Sequence, residues 1–182
     1  MRYTRMMRTG PESPEHKMPY RAARRAFIAA CEKAHIDAVA RLHPSKGPDG
    51  KPLFMDCAAL GPRRAARAVL VVGHDAADTG LLVELLDGAA PPKDAGLVLV
   101  HAFDPAAFAG VQGDPAWPTT MLGAVATEDL SRVRNLAVMA LADENLKPVL
   151  QEKLPQAVIV HLPPVRDATQ ARGAIAAFFA AS

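Results

Sequence analysis

Three histidines each close a short apolar run: His74 follows VLVV and a glycine, His101 follows VLV, and His161 follows VIV. Runs of that kind suit strands buried on both faces of a parallel sheet, whose carboxyl ends border the crevice where α/β proteins bind ligands. Neutral imidazoles delivered there from separate strands could converge on a zinc ion, which in hydrolytic sites takes three protein ligands and a water of lowered pKa. The competing reading, and the stronger one for any of these histidines taken singly, is a hydrogen-bonded packing residue. Residues 69–80, VLVVGHDAADTG, add Asp75 and Asp78 beside His74. Carboxylates there serve either as metal ligands or as caps on the free N–H groups of a helix start, and for Asp78, ahead of TGLLVELL, capping is the stronger reading.

The elements that must position these residues follow from pattern. After Pro19, the residues Tyr20, Ala23, Phe27, Cys31 and Ala34 recur at helical spacing. DAVARLHP and LFMDCAAL flank the turn KGPDGK and predict a hairpin at a sheet edge, which leaves room for a homodimer through that edge. RAVLVV, GLVLVHA and QAVIVHL are the buried strands, and TGLLVELLDG, EDLSRVRNLAVMALADE, NLKPVLQEKL and DATQARGAIAAFFAAS are predicted helices. Thr127 is the expected cap of the second helix, and Asp167 with Gln170 makes a capping-box pattern for the last. Asp104 before Pro105 is another cap. Residues 110–123 read as a Gly/Pro-rich loop holding the only tryptophan, Trp117, as a plug over the sheet end or as a ligand contact. The expected fold is a single α/β domain of three layers with a mixed, mostly parallel sheet over residues 19–182.

Bulk properties narrow the function classes. The 182 residues carry a net charge of +2, half are apolar, and the longest apolar run is too short to span a bilayer. Residues 1–25 hold seven Arg or Lys against two Glu, so the remainder is mildly acidic. Residues 1–18 read as a basic flexible arm, a solvated tail rather than a nucleic-acid contact, since no aromatic platform interleaves its charges. The arm lacks the apolar stretch of a secretory signal, so the expected compartment is the cytoplasm. Cys31 and Cys57 form no CxxC pair and sit among apolar neighbours, as small core residues do.

The order of these segments resembles an uncharacterised bacterial branch of the zinc carboxypeptidase superfamily, related to the aspartoacylase and succinylglutamate desuccinylase deacylases. YRAARRAFIAACEKAHIDAVARLHPSKGPDGKPLFMDCAALGP is similar to that branch's opening helix and hairpin. AVLVVGHDAADTG falls where its metal-binding turn stands, and LVLVHAFDPAAFAG is similar to its next strand. The likeness covers residues 19–110 closely; EDLSRVRN and LKPVLQEKLPQAVIVHLPP echo later segments more faintly. It implies a zinc-carboxypeptidase-like fold, with His74 at the first metal histidine and His161 at the second. The glutamate of the pattern is Ala77 here, leaving Asp78 as the nearest carboxylate. Arg132, or Arg134 with Asn135, corresponds to the pair that holds a substrate carboxylate. The resemblance also implies a catalytic glutamate in a further portion of the fold, and no residue here is matched to it.

Two functions follow as expectations. The first is a shortened, degenerate member without full hydrolase activity that binds a small carboxylate ligand or a protein partner. The second is a reduced metallohydrolase that cleaves an amide or ester next to a carboxylate, with zinc on His74, Asp78 and His161.

Overall fold

Short apolar runs become strands here when both of their faces can be covered, and that condition organises the molecule. The computed structural model describes residues 19–62, 64–88, 91–142 and 145–181; the basic arm expected over residues 1–18 lies outside them. Among the described residues, β1 (Ala38–Lys46), β2 (Pro52–Leu60), β3 (Arg67–Val72), β4 (Ala95–His101), β5 (Asn135–Ala140) and β6 (Val158–His161) form one sheet in the order β1-β2-β4-β3-β5-β6. β3, β4, β5 and β6 are parallel, while the β1–β2 hairpin joins β4 antiparallel. This is the mixed, mostly parallel α/β sheet expected from the sequence.

Helices cover both faces. α1 (Pro19–Lys33), α2 (Ala76–Leu86) and α6 (Ala168–Ala180) bury Phe27, Leu82, Leu85 and Ile175 against Val69, Val71, Leu97 and Leu99. On the other face, α4 (Trp117–Asp129) and α5 (Lys147–Lys153) bury Leu122, Val125 and Leu150 against Leu70, Val72, Val98 and Val138. The short α3 (Pro105–Phe108) follows β4 and is capped by Asp104, which accepts from the N–H groups of Ala106 and Ala107. Asp167 likewise caps α6 through the Gln170 N–H at 2.8 Å.

Three expectations need correction. The segment expected as one helix over residues 128–144 does not form one among its described residues: α4 ends at Asp129 and NLAVMA is β5, an inner strand between β3 and β6. As a strand it buries Leu136 and Val138 on one face and Ala137 and Met139 on the other. A helix on the outside of the sheet would bury one stripe only, and each fully buried Val or Leu contributes about 1.5–3 kcal/mol. Correspondingly, α4 begins inside the expected loop, at Trp117 with Pro118 in its first turn. Thr127 lies within α4, bonded to the Gly123 carbonyl, and is no cap.

Candidate functional site

β3 runs out at Val72, and Gly73 keeps the ladder going for one more residue by donating to the Val100 carbonyl at 2.9 Å. A Cβ on Gly73 would stand 3.0 Å from the Leu82 side chain, so glycine lets α2 start close against the strand end. His74 follows, half-buried, its ring edge-on to Phe103 with centroids 5.3 Å apart. Phe103 is held there because Ala102, at φ 54°, turns the chain back so that the Phe103 N–H reaches the Gly73 carbonyl. A left-handed alanine is a strained conformation of the kind that collects at strand ends serving sites.

Asp75, rather than Asp78, is the N-cap of α2, accepting from the N–H groups of Ala77 and Asp78 at 2.8 and 2.9 Å. Asp78 sits in the first helical turn and folds its carboxylate back onto the His74 N–H at 2.8 Å. Burial pushes the Asp78 carboxyl above its ordinary range, against that hydrogen bond, and Asp75 adds to the rise. Ala77, at the place where the resemblance implies a ligating glutamate, is exposed and has no donor atom.

His101 ends β4 but faces the opposite side of the sheet. Its ring is fully buried, stacked on Phe27 at 5.0 Å and on Tyr20 at 6.5 Å. Its Nδ1 lies 3.6 Å from Asp56, which Arg24 grips with two bonds of 2.8 Å. Burial alone would raise the Asp56 carboxyl, but His101 and Arg24 beside it outweigh that and hold it below the ordinary carboxylate range. His101 therefore joins α1 to the sheet, and the three strand-end imidazoles do not meet.

His161 is exposed on β6, in register with Val138, which is itself in register with Leu70. It stands two strands away from β3 and four residues short of His74, roughly 13 Å along the strand direction. Zinc holds its nitrogen ligands at about 2.0–2.1 Å. As arranged, His74, Asp78 and His161 do not fit one zinc ion, and among the described residues no group of three His, Cys, Asp or Glu is placed to hold a metal. Arg132, Arg134 and Asn135 lie at the other end of the sheet: Asn135 opens β5 in register with Arg67, and all three are exposed. Seven residues of strand, roughly 23 Å, separate that level from His74.

Sequence reasoning missed a second set of polar groups near the His74 rim. The hairpin extends past the parallel strands, since Asp56 is already level with His101. Beyond it stand Arg41 and His43 on β1, both buried. The signal was present: a charge within the apolar run LFMDCAAL, and basic residues alternating with Leu42 in RLH. Trp117 packs half-buried on the core and edge-on to His43 at 4.5 Å, as the plug expected of it. At the opposite end of the sheet, a cavity of about 750 Å³ opens beside Gly96, Ala65 and Val133, away from the histidine rim.

The family described as "Protein of unknown function (DUF2817)" matches residues 17–112, which takes in α1 through α3. No curated protein matches the sequence. Among solved structures, the Macrostomum lignano glutaminyl cyclase is similar at a TM-score of 0.53 with 14% identity, over 93% of this chain and 83% of that one. The Porphyromonas gingivalis glutaminyl cyclase is similar at 0.52 with 9% identity, over 90% and 79%. A protein from Bacteroides vulgatus assigned as a Zn-dependent exopeptidase is similar at 0.50 with 10% identity, over 93% and 87%. At such identities the likeness is one of fold: this chain shares the α/β fold of those three proteins.

Proposed function

From a chain that belongs to the DUF2817 family of proteins of unknown function, we infer a zinc-carboxypeptidase-like domain without full hydrolase activity that acts as a binding module. Its ligand is a small carboxylate compound or a protein partner, and its relation to the aspartoacylase-like deacylases is one of shared ancestry. The observation that carries this reading is the condition of the strand-end turn. Ala77 stands where the resemblance implies a glutamate ligand, and the Asp78 carboxylate is committed to the His74 N–H. His161, four residues lower on an outer strand, is turned to solvent. Hydrolysis of an amide needs a polarised carbonyl and a base to take the proton of water. With the ligand set dispersed, neither is assigned to a residue here, so no hydrolytic step is derived.

The test is metal content and turnover together. Protein purified without chelators is expected to hold well under one zinc per chain. It should cleave a panel of N-acyl amino acids with added zinc no faster than a His74→Ala variant. About one zinc per chain, lost in His74→Ala along with hydrolysis, would overturn the module in favour of the reduced metallohydrolase.

A further inference from the structure

Among the described residues, the large apolar side chains left exposed are Val39, Leu42, Val158 and Val160, and all stand on the two edge strands. β6 is four residues long; β1 is nine, and on it Val39 is 48% and Leu42 61% exposed. The direction of the β1 backbone follows from its neighbour. The Phe54 N–H donates to the Tyr20 hydroxyl at 2.7 Å, and the Phe54 carbonyl accepts from that hydroxyl at 3.0 Å. Phe54 thus turns its backbone groups to α1 and away from β1, so its register mate Leu42 is in a non-hydrogen-bonded pair. Pair types alternate along an antiparallel ladder. Ala40 and Ala38 share the state of Leu42, and all three point their N–H and C=O groups outward.

This outward row has definite ends. Ahead of Ala38, the Ile36 N–H already donates to the Cys31 carbonyl at 2.9 Å. Beyond Leu42, Pro44 has no N–H and the ladder is irregular between His43 and Lys46. Proline, lysine and bulges are the usual guards of a sheet edge, and none lies between Ala38 and Leu42. The one charge in that stretch, Arg41, is drawn to Glu128 of its own α4.

The stretch is complementary to a second copy of itself. With a two-fold axis at Ala40, outward residues meet outward residues: Ala40 faces Ala40, and Leu42 faces Ala38 of the other copy. Large then meets small, at a place where Ala38 is partly buried on the same apolar cluster as Ile28 and Ile36. On the other face Val39 meets the aliphatic stem of Arg41. An axis at Arg41 would set two guanidinium groups directly opposite, which is unfavourable. An axis at Val39 would set Leu42 against Ile36, whose N–H is taken. We propose that two copies of this chain join through β1, antiparallel about an axis at Ala40, into one continuous sheet. Such an isologous contact closes at two copies. About five residues from each copy pair directly, so the contact belongs to the small, weak class in which monomer and dimer exchange.

Sedimentation velocity on the full chain, from about 1 µM to about 1 mM, should show a concentration-dependent dimer and nothing larger. Ala40→Pro removes an N–H that faces solvent in the monomer, a position where an edge strand tolerates proline. It should stay folded by circular dichroism and raise the dissociation constant about tenfold or more. Leu42→Glu, which sets a carboxylate against the apolar cluster of the other copy, should do the same. A short thiol cross-linker should join copies of Ala40→Cys but not of Lys46→Cys, whose positions lie about 40 Å apart in this register. The native Cys31 and Cys57 are buried and do not compete. A chain that stays monomeric throughout, assembly past two copies, or a dimer unchanged in folded Ala40→Pro overturns the proposal. Should Ala40→Pro fail to fold, Leu42→Glu decides by the same measure. Cross-linking of Lys46→Cys in preference to Ala40→Cys overturns the register and the proposal with it.

Discussion

Removing the Asp56 carboxylate tests how α1 is fastened to the sheet. Its side chain is fully buried, and it receives two bonds of 2.8 Å from Arg24, whose side chain is 26% exposed. Breaking a buried ion pair by deleting one partner costs about 3–5 kcal/mol, because the other charge is stranded. In Asp56→Ala the stranded group is Arg24, which still reaches water, so the loss belongs at the low end, about 3 kcal/mol. Arg24→Met strands Asp56 itself, with only His101 nearby, and is expected to cost about 4 kcal/mol. Asp56→Asn keeps the shape and one acceptor and should lose about 1.5–3 kcal/mol. The pH dependence has a definite sign. The folded carboxyl is held below its ordinary value, so its contribution is complete above the unfolded pKa of about 3.9 and disappears as pH falls through the folded one. Urea denaturation followed by Trp117 fluorescence, at pH 7 and pH 3, gives both quantities. The gap between wild type and Asp56→Asn should be full at pH 7 and shrink at pH 3. A variant within about 0.5 kcal/mol of wild type at pH 7, with unchanged m-value, would refute the reasoning.

Asp75→Ala removes the acceptor of two N–H groups at the start of α2 and should cost about 1 kcal/mol in chemical denaturation, the usual worth of a cap. Gly61→Ala should cost at least about 2 kcal/mol by the same assay, because Gly61 has φ 86° and its Cβ would lie 2.3 Å from the Ala95 carbonyl oxygen. Burial pushes the Cys31 thiol up to about 11 and the Cys57 thiol up to about 12. At pH 8 a thiol reagent should therefore label neither in the native protein and both after denaturation; rapid native labelling would contradict their placement in the core.

Much of the scaffold could be read from local pattern. The hairpin, the runs of β3, β4 and β6, and the caps at Asp104 and Asp167 depend on residues within a few positions of one another, where period and turn chemistry act directly. β5 did not read correctly, because NLAVMA is short and apolar and periodicity cannot separate a buried strand from a helix flank. Its neighbours β3 and β6 decide it, and they are distant in sequence. The candidate site divided the same way. Sequence alone determined that histidines end three apolar runs, that residue 77 is an alanine with no ligating atom, and that an acid follows each of two strands. Only the tertiary structure decided which imidazole faces which side. His101 turns to α1 and Asp56, His74 to Phe103, and His161 to solvent, while His43 comes to rest against Trp117 and Arg41 pairs with Glu128. Side-chain direction in a strand flips with every residue, and strand ends are staggered by register. Convergence at one rim is therefore set by the pairing of the whole sheet, which no single run of residues contains.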